Sequence, residues 1–413
     1  MDKHLPAEIA LNIFFRLPVE SALECRRVCK IWRNLLLHDT YFADMHLHRQ
    51  LGQLDGVQRY HNNTNIYGTS SDAEVDLCLL FMIVGYEQNG IVKSIYYDRI
   101  NRDDKQYPSK KITRRINHLP MKNQYPCDLM LSSCNGLICI SSKRGRDDCV
   151  YICNPFTREY VDLPRFREKN LYTYIVNGFG YHPSTKEYKV VRINYNYPAP
   201  VGHIQVYTLG DGRGWRDRGV ITYLFDNVSM FPCRGILVNG ALHWLDIEEK
   251  KIMAFDLADE VFCMVPSPPC FGPSIGEHYL DLQELESCLC IVHHNNGESI
   301  DIWLFKKTKN NNTRYNVKEQ DKYQSWKWSK EFSIACEGHP SKFFAPLALT
   351  KSREILLWHK YDAIIYRYDS TTRTLEKLLR YDASLKFSHQ IILHNNSFVS
   401  LKALGEKDAV DIL

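Results

Sequence analysis

The sequence has no run of about 18 apolar residues, so a spanning helix is not expected. It has no C-x-x-C pair, although its fourteen cysteines give ample opportunity. Zinc ribbons, RING sites and thioredoxin-type redox sites therefore lose their main signature. No apolar stretch follows Met1-Asp2-Lys3-His4, so no secretory leader is expected. Charge excess is nearly absent as well: 52 Lys and Arg stand against 48 Asp and Glu, a net +4 over 413 residues. A dedicated nucleic-acid scaffold would be far more basic. Reduced thiols in a cytoplasmic or nuclear protein are the expectation. What is present is aromatic weight, with 25 Tyr, 18 Phe and 7 Trp. In a weakly charged chain of this length, that leans towards β structure.

The periodicity divides the chain. Residues 1–50 read as helix. Ile9, Ile13 and Leu17 recur every four positions, with Ala10 and Phe14 on the adjacent stripe. Pro6 suits a first helical turn, and Pro18 ends that helix. A second helix is expected from Val19 with Ala22, Leu23, Val28 and Cys29 as its apolar positions. A third carries Ile31, Trp32, Leu35 and Leu36, and a fourth short one Tyr41, Phe42, Met45 and Leu47. Such a unit is too small to be comfortable alone and leaves an apolar face for a partner. Residues 51–75 are polar and turn-rich and read as a linker.

From residue 76 to 413 the period is that of strands. Short β-rich runs recur: Leu77–Val84, Ile91–Tyr97, Gly136–Ser141, Val150–Cys153, Tyr188–Ile193 and Ile204–Tyr207. They continue as Ala241–Leu245, Ile252–Phe255, Cys288–His293, Ile300–Phe305, Glu354–His359, Ile364–Tyr368 and Gln390–Leu393. A repeat chooses among sandwich, barrel and propeller. Asn135-Gly136 opens a strand that leads to Val150–Glu159; Asn239-Gly240 leads to Ile252–Leu257; Arg353-Glu354 leads to Ile364–Arg373. Each unit runs turn, strand, turn, aromatic strand, polar turn, which suits a four-stranded propeller blade. About 55 residues per unit gives about six blades, with five or seven still open. The last strand, near 389–404, is placed to close the ring against an early one.

The N-terminal residues Leu5-Pro6, Glu8-Ile9, Ile13, Leu17-Pro18-Val19, Ser21, Leu23, Arg27-Val28-Cys29-Lys30, Trp32 and Leu35 closely resemble an F-box. The remainder resembles the F-box-associated domain of plant F-box proteins. Its carriers include Ser133–Cys139, Asn154-Pro155-x-Thr157-Arg158-Glu159, Gly178–Tyr181 and Tyr188–Arg192. Val206-Tyr207, Trp215-Arg216, Val238–Trp244 and Ile300–Trp303 complete the set. The resemblance implies an α+β multidomain chain: a helical F-box followed by an all-β propeller-like domain. It implies a non-catalytic substrate receptor of an SCF-type ubiquitin ligase, bound to a Skp1-like adaptor and through it to cullin-1. The adaptor contacts would be Leu5, Pro6, Ile9, Ile13, Leu17, Pro18, Val28, Cys29 and Trp32, with Trp32 the anchor. Taken singly, each serves core or contact equally well in so small a unit. The Gly178–Tyr181 and Ile300–Trp303 stretches also resemble S-locus F-box proteins, which target ribonucleases.

Two other classes compete: a ring that binds a glycan or small molecule, and a propeller enzyme. No cofactor, metal or catalytic residue is assigned. Gly272-Pro273-Ser274-Ile275-Gly276 matches a nucleophile elbow but sits among prolines and reads as loop. Gly210–Gly214 lacks the lysine of a P-loop and reads as a hairpin turn. Adjacent His293 and His294 point to opposite faces of a strand. Lys110–Arg115 reads as a solvated basic loop. Trp326 and Trp328 share a face and read as core, and Cys134, Cys139, Cys149 and Cys153 as small buried hydrophobes. The target protein is assigned to inter-strand loops around 143–148, 194–202, 225–233 and 308–324.

Overall fold

The computed structural model describes residues 6–50 and 76–411, apart from internal spans of which the longest are 104–113, 117–128, 226–233, 272–278, 309–322, 337–343 and 382–389. Leu5, the 51–75 span, Lys110, Lys111 and the Gly272–Gly276 motif lie outside the described residues.

Four helices come first: α1 (Ala7–Phe14), α2 (Val19–Cys25), α3 (Lys30–His38) and α4 (Thr40–Gln50). Pro6 and Pro18 are the N-cap residues of α1 and α2, each held extended at φ −51° and −56°. Their carbonyls accept the first helical bonds, from Ala10 N and Ala22 N at 3.0 Å. The second helix is shorter than the sequence pattern suggests. Arg26, Arg27 and Val28 each donate three residues back, which tightens the chain into a turn after Cys25. Cys29 is therefore no helical position; it caps α3, its Sγ accepting from Trp32 N at 3.4 Å. Asp39 caps α4 through Oδ1 and Phe42 N at 3.0 Å.

The rest is a six-bladed ring. The first blade holds β1 (Asp76–Glu87), β2 (Gly90–Asn101) and β3 (Arg114–Ile116). The second holds β4 (Leu129–Cys134), β5 (Leu137–Arg144), β6 (Asp147–Asn154) and β7 (Glu159–Asp162), with the short β8 (Phe166–Arg167) against β6. The third holds β9 (Thr173–His182), β10 (Glu187–Asn196), β11 (Gly202–Thr208) and β12 (Arg216–Ile221). The fourth runs β13 (Ile236–Val238), β14 (Ala241–Asp246), β15 (Lys251–Asp256) and β16 (Phe262–Val265). The fifth runs β17 (Tyr279–Leu285), β18 (Cys288–Asn295), β19 (Ser299–Lys307) and β20 (Trp326–Ala335). The sixth runs β21 (Phe344–Leu349), β22 (Ile355–His359), β23 (Ile364–Asp369) and β24 (Thr374–Arg380). Among the described residues the named strands pair antiparallel, with one isolated parallel bridge between Asn177 and Arg234. The first strands of neighbouring blades touch one another, β4 with β9, β9 with β13, β13 with β17 and β17 with β21. They form the inner wall.

The ring closes as the sequence anticipates. β25 (Gln390–Leu393) pairs with β1, Leu79 opposite Leu393, and supplies the missing inner strand of the first blade. The chain then runs on to β26 (Val410–Asp411), which pairs with the outer edge of β7. Residues 394–409 between them form a strap across the second blade.

Six apolar clusters occupy the six blade interfaces, and a seventh fills the helical unit. The aromatic wealth is spent there. Trp244 and Trp358 are wholly buried. Trp326 and Trp328 both pack on Phe305, at 5.3 and 5.0 Å between ring centroids. The Gly178-Phe179-Gly180-Tyr181 motif lies on β9, where a Cβ on Gly178 or Gly180 would sit within 2.8 Å of Trp244 or 2.5 Å of Leu237. These two glycines let one inner strand lie directly on the next blade.

The repeat seen in the sequence has a physical basis. Asn154, Asp256 and Asp369 each accept from the backbone N–H two residues on, at 2.9, 2.8 and 2.7 Å. The same Asx turn thus joins the third and fourth strands of three blades. Asn135-Gly136 and Asn239-Gly240 have positive φ at both positions, as a two-residue hairpin requires.

Blades three and four are also stapled by charge. Glu260 accepts from Lys189 and Arg216 at 2.9 and 2.7 Å and pairs with Arg218. Burial raises the Glu260 carboxyl, but bonds from Arg216 and Lys189 outweigh it and hold it at about 2. Lys189 also donates to the Leu257 carbonyl at 2.6 Å. Glu260→Gln removes the carboxylate these cations share, leaving Lys189 with Glu187 and Arg216 with the more distant Asp211, and is expected to destabilise the ring by about 3 kcal/mol. Chemical denaturation would read this, and an unchanged midpoint would contradict it.

Candidate functional site

The helical unit is apolar on more than one side. On α1, Ala10 and Phe14 are buried, while Ile9 and Ile13 stand 50% and 46% exposed. The two adjacent stripes of the sequence therefore divide, one facing inward and one facing water. Val28, in the turn before α3, and Ile31, in its first turn, are 65% and 59% exposed, and Tyr41 is 67% exposed at the start of α4. Pro6 and Pro18 are exposed as well. Isolated exposed apolar side chains are ordinary, but five on a unit of about 45 residues are not. Arg16, Arg27, Lys30 and Arg33 are exposed on the same unit, beside Glu8 and Glu24.

Leu17, Cys29 and Trp32 are only half-buried. Trp32 meets Phe14 edge to face at 4.9 Å and supports the helical core with one side of its ring. Ile31 and Tyr41 were not among the residues the resemblance singles out. The four-residue spacing of Ile31 and Leu35 is the signal that separates them from the Trp32–Leu36 stripe. Tyr41 carries no comparable signal.

The unit does not hang free. Its core includes Phe398 from the strap, with Phe156 packed alongside. On α4, Phe42 and His46 flank Phe398 at 5.2 and 4.9 Å, and Leu47 joins the core between blades two and three. A second arm runs back: His46 Nε2 lies 2.9 Å from the Leu17 carbonyl, at the corner between α1 and α2.

The strap in turn is held by residues that carry the family resemblance. Asn154 donates to the Ser397 and Val399 carbonyls at 3.0 and 2.8 Å. Glu159 accepts from Ser400 Oγ at 2.9 Å and from Leu401 N at 2.6 Å. Ser397 Oγ donates to the Asn135 carbonyl at 2.6 Å, and a Cβ on Gly136 would strike Ser397. Glu406 accepts from Gly210 N at 2.7 Å, within the Gly210–Gly214 hairpin turn. These motif residues are scaffold.

The antiparallel meander fixes which face this is. Asn135-Gly136 joins the first two strands of its blade and Asn154–Glu159 the last two, so both turns leave from one face of the ring. The helical unit docks there. The loops proposed for target binding lie mainly outside the described residues. Strand ends leading into 143–148, 194–202 and 225–233 leave from the opposite face; those leading into 308–324 leave from the helical side.

Among the described residues there is no group of three or more His, Cys, Asp or Glu able to hold a metal, and no helix long and apolar enough to cross a membrane. His294 is buried and His293 half-buried on β18. Cys134, Cys139, Cys149 and Cys153 lie in blade interfaces and form no disulfide, and burial pushes Cys134 and Cys153 up to about 12.

A helical unit with an exposed apolar face, docked on a six-bladed ring, is the architecture of an adaptor-type receptor. Residues 3–48 match an F-box-like family model, and residues 83–378 match the F-box associated beta propeller domain. The chain belongs to the plant F-box proteins that carry this domain. It is 28% identical to the F-box protein At3g07870 of Arabidopsis thaliana over 94% of this chain and 88% of that one. It is 24% identical to the F-box protein CPR1 of the same plant, over 94% and 87%. The F-box/kelch-repeat protein At3g23880 is similar at 23%, over 88% and 87%.

Proposed function

We propose that this chain is the substrate-recognition subunit of an SCF-type ubiquitin ligase. The helical unit binds a Skp1-like adaptor, the adaptor brings cullin-1, and the ring presents a target protein for ubiquitination. The chain itself performs no chemistry; it accelerates transfer by holding two reactants together. The observation that carries this reading is the exposed apolar set on the helical unit. Pro6, Ile9, Ile13, Pro18 and Val28 form the contact, with Leu5, Leu17, Cys29 and Trp32 completing and supporting it. Basic side chains around them favour an adaptor with an acidic rim. The target is assigned to the face opposite the helices, so that the two partners do not compete for space.

Both stretches that resemble S-locus F-box proteins lie in strands that pack blade interfaces. They speak for the scaffold and carry no target preference.

Ile9→Glu combined with Ile13→Glu tests the reading. Both side chains are half exposed, so the ring's melting temperature should not move. Adaptor capture should fall at least about 30-fold, the loss of a central hot spot worth ~2 kcal/mol. Undiminished capture by that variant would sink the assignment.

A further inference from the structure

The strap joins two tasks that the sequence keeps about 350 residues apart. Residues 397, 399, 400 and 401 are each pinned to the second blade by Asn154 or Glu159. Between them Phe398 points the other way, into the helical unit, and is 1% exposed. A side chain on backbone pinned at both flanks has little freedom of its own. It is gripped by Phe42 and His46 on α4, and His46 passes the contact to the Leu17 carbonyl. A continuous set of short contacts thus runs from the ring to the corner that begins α2. Leu47, next to His46, adds a second anchor on α4.

We propose that Phe398 is a positioning residue. It sets the angle and separation between the helical unit and the ring, and the Asn154 and Glu159 motif residues act through it. The helical unit is too small to hold itself rigidly against so large a neighbour by its own core. Two interlocked anchors on one helix remove the remaining hinge freedom, because packed contacts have discrete arrangements rather than continuous ones. What a fixed angle does for ubiquitin transfer rests on the receptor reading above; the fixed angle itself does not.

The test uses the full chain, measured with and without a Skp1-like adaptor. Labels are carried on genetically encoded residues at Asn34 and Thr372, both exposed, because the chain already has fourteen cysteines. The distance distribution between them should be narrow in the natural protein. Phe398→Ala should at least double its width and speed amide exchange in α4 about tenfold. Adaptor capture should change less than twofold, since the exposed face is untouched. Phe398→Leu should restore most of the narrowing. Should Phe398→Ala fail to fold, His46→Ala removes part of the same grip from the other side and should broaden the distribution in the same direction. A width and an α4 exchange rate that stay unchanged in folded Phe398→Ala, or in His46→Ala, would overturn the proposal. Failure of the natural protein to capture adaptor would overturn the receptor reading instead and leave the distance result standing.

Discussion

Asn154→Asp is expected to unfold the ring almost as readily as Asn154→Ala, by about 4 kcal/mol in each case. The expectation is unusual because Asp is the residue found at the equivalent turns of two other blades. Asp256 and Asp369 cap their turns with a carboxylate oxygen, and that is all those turns require. Asn154 does the same with Oδ1, to Phe156 N at 2.9 Å. Its amide nitrogen does something the aspartates cannot: it donates to two buried carbonyls of the strap. Asp at this position keeps the turn, turns two acceptors against a third, and leaves both carbonyls unpaired. The melting temperature of the full chain should drop by on the order of 5–10 °C for either variant. Proteolysis should then begin within residues 394–411. Near-natural stability for Asn154→Asp would mean that the turn, not the strap, is what Asn154 serves.

Acid is expected to weaken the ring well before carboxylates titrate. His394 sits where β25 gives way to the strap, against Phe156 and 2.7 Å from Ser133 Oγ. Burial pushes its imidazole from 6.5 down to about 3. Between those values the unfolded chain holds a proton that the folded chain refuses. Stability is therefore full above about 6.5 and declines by roughly 1.4 kcal/mol per pH unit below it, about 2 kcal/mol at pH 5. Glu260 contributes in a lower window. Its carboxyl is depressed, so its contribution is present above 4.5 and lost as pH falls towards about 2. Denaturation midpoints between pH 7.5 and 5 would show the first effect, with His394→Gln flattening the curve. Superimposable profiles for the natural and variant proteins would refute the role given to His394.

The sequence runs legible as strands were, with one exception, the middle two strands of each blade. Ala241–Leu245, Ile355–His359 and Ile364–Tyr368 are buried on both faces and read as largely apolar, each with one polar residue. The exception, Gln390–Leu393, is the inner strand that closes the ring. The outer strands escaped notice because one side and one edge face water. Arg216–Ile221 and Thr374–Arg380 are mostly exposed and look like loop. Inner strands escaped for another reason. Gly178 and Gly180 make room for a neighbouring blade, and glycine in a run weakens its strand signal. The hairpin at Glu286-Ser287 has positive φ at both positions without the Asn-Gly pair that marked two others. In the helical unit, spacing identified both stripes of α1 but could not say which faced water. That depends on Phe42, Leu36 and Phe398, and the last of these lies at the far end of the chain.

The closure of the ring has a consequence in time. β1 is made well ahead of its inner partner β25, which follows only after about 310 further residues have left the ribosome. At 5–20 residues per second that is tens of seconds, during which Leu79–Met82 presents an unpaired edge to every other chain nearby. The first blade is the one most exposed to wrong partners during synthesis, and a premature stop between residues 101 and 390 leaves that edge open permanently. Such a fragment would still carry the complete α1–α4 sequence, yet without its closing strand it would be marked for disposal by its own unfinished edge.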